Sequence, residues 1–450
     1  MKARIVLLAT AAALVAVALS LNVASAGRLG PSATTTSAAT YPAPKVPNAA
    51  ALKKQYGGQS ITFIGDSVGG SHNRDVALAK QFTKDTGIKV KVVPHPAASD
   101  ASYSQLARVF SSKSSSFDVA MIDVVWPGAF APYLVDLKPK LGKEAKQHAQ
   151  GIIRNDTIDG KLVAMPWFGD FGILYYRTDL LKKYGYTAPP KTWTQLFAMA
   201  TKIEAGEQAG GNSSFNGFVF QGNSYEGLTC DALEWYESAG AGGFIDDGKV
   251  TINNPKGAAI LNLIASQIGK STPRDVTTYQ EGEAHTAFVE GNAAFMRNWP
   301  YAYSIGADPK TSKIVGKFSV TVLPHAGGSS VGTVGGWQLA VNKYSKHVDA
   351  SIEFVRYMTS APAQKFSAIT NTNVPTIPAV AKDRAVVKAN PYLKPEIASV
   401  IRVTRPASAL KTHYNEGSKA IYQGINQILN GRSASSVLPG VQSKLERILR

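Results

Sequence analysis

Cysteine is nearly missing from this chain of 450 residues: Cys230 stands alone, so no disulfide can form within one molecule, and no cysteine follows the N-terminal segment to accept a lipid. A lone thiol with no base set beside it reads as a small core side chain rather than a nucleophile. Metal ligands are equally sparse. The 7 histidines are scattered, no His-Glu-x-x-His pattern occurs, and the one local cluster, Glu281, Glu283 and His285, reads as the solvent-facing start of a helix. Residues Gly65 to Gly70 lack the spacing of a dinucleotide fingerprint, and no phosphate-loop lysine follows them, so no cofactor is expected. Although the formal charge is +17, no run of five basic residues exists. Basic side chains are dispersed and often sit beside acids, as in Lys84-Asp85, which describes a solvated basic surface facing an anionic envelope rather than a nucleic-acid groove.

Long apolar runs are absent after the first one. That run, Ile5 to Leu21, follows Lys2 and Arg4 and closes on Ala24-Ser25-Ala26, the three zones of a secretory signal, so residues 1–26 are expected to be removed and the protein to be periplasmic. An uncleaved membrane anchor is the alternative. Residues 27–56 open on Ser, Thr, Ala and Pro with few large apolar side chains, and are expected to be a disordered linker. The remainder, in a chain that is 44% hydrophobic, is too long for one ordinary compact domain, and two lobes are expected.

From Gly58 the pattern alternates. Ile61 to Ile64 reads as a buried strand, Asn73 to Thr86 as a helix stopped by Gly87, Ile88 to Val93 as a strand, Tyr103 to Lys113 as a helix, and Phe117 to Ile122 as a strand. This is the start of an open parallel sheet. In such sheets the ligand crevice lies beyond the carboxyl ends of the strands, where the loops from Gly65 and from Asp123 fall. A Pro189-Pro190 break then precedes helices, the first opened by Thr192 with Gln195.

Four blocks follow in order: Trp167 to Gly185 with Pro-Pro-Lys-Thr-Trp193; Tyr225 to Trp235; Phe288-Val-Glu-Gly-Asn-Ala-Ala-Phe-Met-Arg-Asn-Trp-Pro-Tyr301; and Gly335-Gly-Trp-Gln-Leu-Ala-Val341. Together they resemble the extracellular solute-binding proteins of ABC importers, the family that includes maltose- and trehalose-binding proteins, from Gly57 to the C-terminus. The resemblance implies an α/β hinged trap of two lobes, each an open, mainly parallel sheet flanked by helices, joined by three crossings near Met165 to Gly172, Val334 to Trp337 and Arg402 to Ala407. Lobe 1 would then comprise residues 57–167 with 338–402, and lobe 2 residues 168–337 with 403–450. It implies a monomer that binds a neutral di- or oligosaccharide, trehalose- or maltose-like, and presents it to a membrane permease.

A pyranose shows an apolar face and a rim of hydroxyls, so its site needs flat aromatic surfaces and planar hydrogen-bonding groups. By resemblance, Asp123, Asp170, Glu226 and Arg405 supply the hydrogen bonds, and Trp299, Tyr301 and Trp337 the stacking faces. Gly336, with Gly335, lets backbone approach the ligand or bend at a crossing. Ser67, Trp126, Trp167, Phe168 and Tyr225 form a second rank. Each has a plainer alternative: a helix cap for Asp123, a turn for Asp170, a helix-end charge for Glu226, a crossing-fixing salt bridge for Arg405, and core filling for the aromatics. One departure stands out. The loop Ser67 to Arg74 lacks the acidic residue that some sugar-binding relatives carry there, leaving Ser71, His72, Asn73 or Arg74 as substitutes.

Other functions fit less well. A GDS-type serine hydrolase would use Gly65-Asp66-Ser67, but no histidine here has Asp three residues before it. A glycosidase would need two of Asp123, Asp170 and Glu226 as its carboxylate pair. An anionic ligand such as a sugar phosphate would need Arg74, Arg297 and Arg405 as a clamp.

Overall fold

The computed structural model describes Tyr41–Val68 and Gly70–Arg450; the expected signal and the first part of the expected linker lie outside the described residues. Ten strands carry the architecture: β1 Ser60–Gly65, β2 Lys89–Pro94, β3 Val119–Asp123, β4 Met165–Phe171, β5 Ile173–Arg177, β6 Asn216–Val219, β7 Ala293–Asn298, β8 Phe318–Thr321, β9 Val331–Val341 and β10 Ile401–Val403. They form two sheets, one for each lobe of an α/β fold. The first runs β10-β9-β3-β1-β2 with β4 also paired to β9, and the second runs β8-β5-β7-β6.

The expected β-α-β-α-β start is present. β1 pairs parallel to both β2 and β3. The helices Ser71–Thr86 and Ser99–Ser111 make the crossovers, and Gly87, at φ 69°, ends the first in a left-handed turn that a side chain would resist. Beyond that start, direction is set by the crossings. β9 runs antiparallel to β3 and β4, having returned from the other lobe. The second sheet is mixed rather than mainly parallel, because β5 enters it directly from β4 through Gly172 instead of through a crossover helix. β5 therefore lies antiparallel to both β7 and β8, while β7 and β6 are parallel.

One apolar cluster lies within the first lobe, and a second runs from Phe110 and Ile122 of the first lobe into the other. Phe63, Leu78, Phe82, Met121, Leu339 and Phe354 pack behind the first sheet, and Trp193, Leu196, Phe218, Leu228, Trp235 and Ile425 pack in the second lobe. Thr192 opens the helix Trp193–Ala209 with a full capping box: its hydroxyl accepts from Gln195 N, and Gln195 Oε1 accepts from Thr192 N.

Two expected boundaries shift. Residues 41–56 are not linker: Ala49–Tyr56 is a helix, Val46 is buried in the first core, its N–H donates to Asp85 Oδ2 at 2.9 Å, and Tyr357 OH donates to Pro44 O at 2.7 Å. The segment's composition could not supply a core of its own, but the rest of lobe 1 does. Conversely, Tyr392 and Ile397, assigned to lobe 1 by position, pack with Phe171, Ile173 and Phe288 of the second lobe.

Candidate functional site

The crevice forms where the topology requires. Asp66 directly follows β1, His95 directly follows β2, and Asp123 is the last residue of β3, so three polar side chains stand at the carboxyl ends of parallel strands. The register of β9 adds the floor: Trp337 lies opposite both Asp123 and Phe168, and Gly335 lies opposite Asp170. The second lobe contributes Trp299 and Tyr301 after β7, and two acids, each the first residue of its helix, Glu226 of Glu226–Ser238 and Glu281 of Glu281–Val289. Between them is a narrow cavity that is partly open to solvent.

All eight first-rank residues line it: Asp123, Asp170, Glu226, Trp299, Tyr301, Gly336, Trp337 and Arg405. Of the second rank, Phe168 and Tyr225 line it too, whereas Ser67, Trp126 and Trp167 do not. Trp126 packs edge-on beneath Trp337 with ring centres 5.6 Å apart, and Trp167 lies against Phe63 with the Arg74 guanidinium 4.1 Å above its ring. Both are buried supports of the floor. The sequence reading missed Asp66, His95, Glu281 and Asn373 as lining residues. Glu281 does not face solvent as expected: its carboxylate accepts from Tyr225 OH at 2.7 Å and from Trp299 Nε1 at 3.2 Å.

The three arginines considered as an anion clamp, Arg74, Arg297 and Arg405, are all buried and paired with acids. Arg405 donates through Nη2 to Asp123 Oδ1 and through Nη1 to Glu226 Oε1, both at 2.7 Å, so one guanidinium spans a first-lobe and a second-lobe carboxylate. Burial works against its charge, but Asp123 and the groups around it, Glu226 included, outweigh that and raise its pKa well above the usual value. Glu226 is filled further by Tyr414 OH and by Ser418 Oγ at 2.6 Å, although burial still raises its own pKa. Arg297 pairs with Glu234 at 2.6 Å and Asp231 at 3.0 Å, and Arg74 with Asp75 at 2.8 Å. Burial pushes Asp75 up to about 7 even so.

The aromatic parts are held from behind. The Arg297 guanidinium sits 3.9 Å from the centre of the Trp299 ring, and His95 stacks on Trp337 at 5.2 Å. Gly335 matters for Trp299, since a Cβ there would come within 3.0 Å of its Cζ3. Gly336, at φ 118°, has its Cβ position 2.6 Å from Phe168 O, so its bareness serves the β9–β4 crossing. Asp170 is different. Its Oδ1 is buried without a protein partner, and burial, with Asp66 adding to it, raises its pKa well above the carboxylate range.

These groups suit holding a small polar molecule. Among the described residues no cluster of three His, Cys, Asp or Glu is arranged for a metal, and no helix is long and apolar enough to cross a membrane. Comparison with known proteins agrees with the architecture: the pattern of the bacterial extracellular solute-binding proteins matches residues 70–365. The chain belongs to that family. A Deinococcus radiodurans "probable ABC transporter-binding protein" is 46% identical to this binding protein over 395 residues, spanning 86% of this chain and 93% of its own. A Sinorhizobium fredii "probable amino-acid ABC transporter periplasmic-binding protein" is 25% identical over 324 residues, 69% of this chain and 71% of its own. Among solved structures, maltose-bound MalE3 of T. maritima shares 35% identity at a TM-score of 0.81, covering 87% of this chain and all of that one. This binding protein thus works outside the cytoplasmic membrane, serving an ABC transporter by binding a solute rather than by catalysis.

Proposed function

We propose that the cavity takes a neutral di- or oligosaccharide, of trehalose or maltose type, and that the closed, loaded monomer is the form a membrane permease recognises. The observation that carries this is the pairing of half-buried indoles, Trp299 and Trp337, with the carboxylates of Asp66, Asp170 and Glu281 in one cavity. Aromatic faces cover the apolar face of a sugar ring, and carboxylates accept from its hydroxyls. The 35% identity to a protein solved with maltose supports the same class.

A sugar phosphate is disfavoured. The arginines that would clamp it are committed to Asp75, Asp231, Glu234, Asp123 and Glu226, and the lining adds Asp66, Asp170 and Glu281 with no further arginine or lysine. A glycosidase is disfavoured for a related reason: Asp123 and Glu226 are locked onto Arg405 rather than free to exchange protons. In this reading the moving bodies are residues 57–167 with 338–402, joined by residues 41–56 but less the stretch 392–397 that packs with the other lobe, and residues 168–337 with 403–450. Closure shifts the population that the permease sees.

The test is a thermal-shift screen of the purified protein against trehalose, maltose, sucrose, maltodextrins, sugar phosphates and amino acids, with calorimetry on each hit. At a hundredfold excess over Kd a ligand adds about 2.7 kcal/mol, enough to move Tm visibly. Neutral sugars should shift it; a shift with phosphates or amino acids alone would reject the reading.

A further inference from the structure

The first-lobe end of the cavity presents buried polar atoms that no protein group engages. Asn373 is 1% exposed and His95 3% exposed, and both line the cavity. Each is fixed by its other end. Arg74 Nη1 donates to Asn373 Oδ1 at 2.6 Å, which assigns the amide and turns its NH2 away from Arg74; Nδ2 has no partner. His95 Nδ1 lies 2.5 Å from the Pro96 carbonyl, so Nδ1 carries a hydrogen and donates it, and in the neutral imidazole Nε2 is then the acceptor. That Nε2 is also without a partner, the nearest carboxylate oxygen, Asp66 Oδ1, being 3.9 Å away. Trp337 stacks on the imidazole and restrains its plane.

Buried polar groups in folded proteins are paired with few exceptions, and exceptions gathered at one end of a ligand cavity point to the ligand as partner. The set is also chemically matched. Asn373 offers a donor, while His95 Nε2 and the Asp66 carboxylate offer acceptors. A hydroxyl both donates and accepts, so neighbouring hydroxyls on one ring can satisfy all three groups together.

We infer that His95, Asn373 and Asp66 form a hydroxyl-reading subsite for one ring of the sugar. The inference rests on the sugar-binding reading above. The subsite sets which ring epimers are accepted, because donor and acceptors are fixed in position by Arg74, Pro96 and Trp337.

The experiment is calorimetry on the purified protein with trehalose and maltose as probes, then with the monodeoxy derivatives of whichever binds. His95→Phe keeps an aromatic ring against Trp337 and removes Nε2. Asn373→Asp keeps an oxygen for Arg74 and removes the donor. Each should weaken Kd by about tenfold or more, in line with a lost buried hydrogen bond, with the ligand-free Tm unchanged. For one deoxy position the wild type should lose a similar factor and His95→Phe should lose little more, a coincidence that a merely structural role would not produce. If the wild type binds a probe and both variants bind it as tightly, or if the losses are the same at every deoxy position, the subsite is wrong while the sugar reading stands. If the wild type binds neither probe, the sugar reading and the subsite fall together.

Discussion

On the second-lobe wall of the cavity the side chains hold one another: Tyr225 and Trp299 both donate to Glu281, Arg297 backs Trp299, and Glu226 is filled by Arg405, Tyr414 and Ser418. The first-lobe wall and the floor leave His95 Nε2, Ser99 Oγ, Asn373 Nδ2 and Asp170 Oδ1 unengaged. Apart from Arg405 Nε, which also lacks a partner, one wall is thus a finished platform and the other an unfilled set of hydrogen-bonding positions. A solute that lies on the first and completes the second can be recognised without rebuilding either, which keeps the ordering cost of binding low.

Five substitutions bear on that contrast. The largest effect should come from Arg297→Met, which leaves Asp231 and Glu234 buried without their cation; denaturant unfolding should show a loss of about 3–5 kcal/mol. Stability equal to wild type would mean the platform does not stand on this ion pair. Next is acid sensitivity, expected to be shared evenly. Burial lowers the pKa of His148, behind the first lobe, and of His285, in the second, each to about 4. The unfolded chain takes up these protons near pH 6.5 and the folded chain does not, so stability is present above that pH and is lost as pH falls toward 4. Each histidine should account for about 3 kcal/mol at roughly 1.4 kcal/mol per pKa unit. Compared with wild type, His148→Gln should be spared about 3 kcal/mol of acid destabilisation between pH 6.5 and 4, whatever the buried carboxylates add; an identical pH dependence would show that the first lobe is not sealed there. Third, Trp299→Ala and Trp337→Ala should each weaken sugar binding more than tenfold, about 1.4 kcal/mol, by calorimetry. Equal affinity in both would remove the aromatic assignment. Smallest is Glu281→Gln, which keeps one acceptor oxygen and loses the other: about fivefold weaker binding, the worth of one hydrogen bond of about 1 kcal/mol, with little change in Tm. A Tm loss as large as that of Arg297→Met would place Glu281 in the scaffold rather than in the platform.

Much of this was legible in the residues. The strands from Ile61, Ile88 and Phe117 show their period directly, the Trp299 and Trp337 positions come with the family blocks, and Asp123 and Arg405 follow from the wider resemblance that those blocks carry. What was not legible depends on distant partners. Glu281 looks like an ordinary helix start, because only the fold brings Trp299 Nε1 and Tyr225 OH onto its two oxygens. His95 and Asn373 sit 278 positions apart in the chain, and neither carries a local pattern. The helix Ala49–Tyr56 was hidden by its low-complexity neighbours, since its order comes from lobe 1. Arg405 was weighed as either a ligand contact or a crossing pin. It lines the cavity and also joins Asp123 to Glu226, so the two descriptions were never exclusive.

The placing of tryptophan has an optical consequence. Of the 6 indoles in the chain, Trp126, Trp167, Trp193 and Trp235 are sealed from solvent at 1–2% exposure. Trp299 and Trp337 line the cavity, one beside a guanidinium and the other beside an imidazole, neighbours that alter indole emission. A change in intrinsic fluorescence on adding a solute therefore originates at the cavity, and the unlabelled protein is its own occupancy sensor, with Trp299→Phe and Trp337→Phe dividing the signal between the two walls.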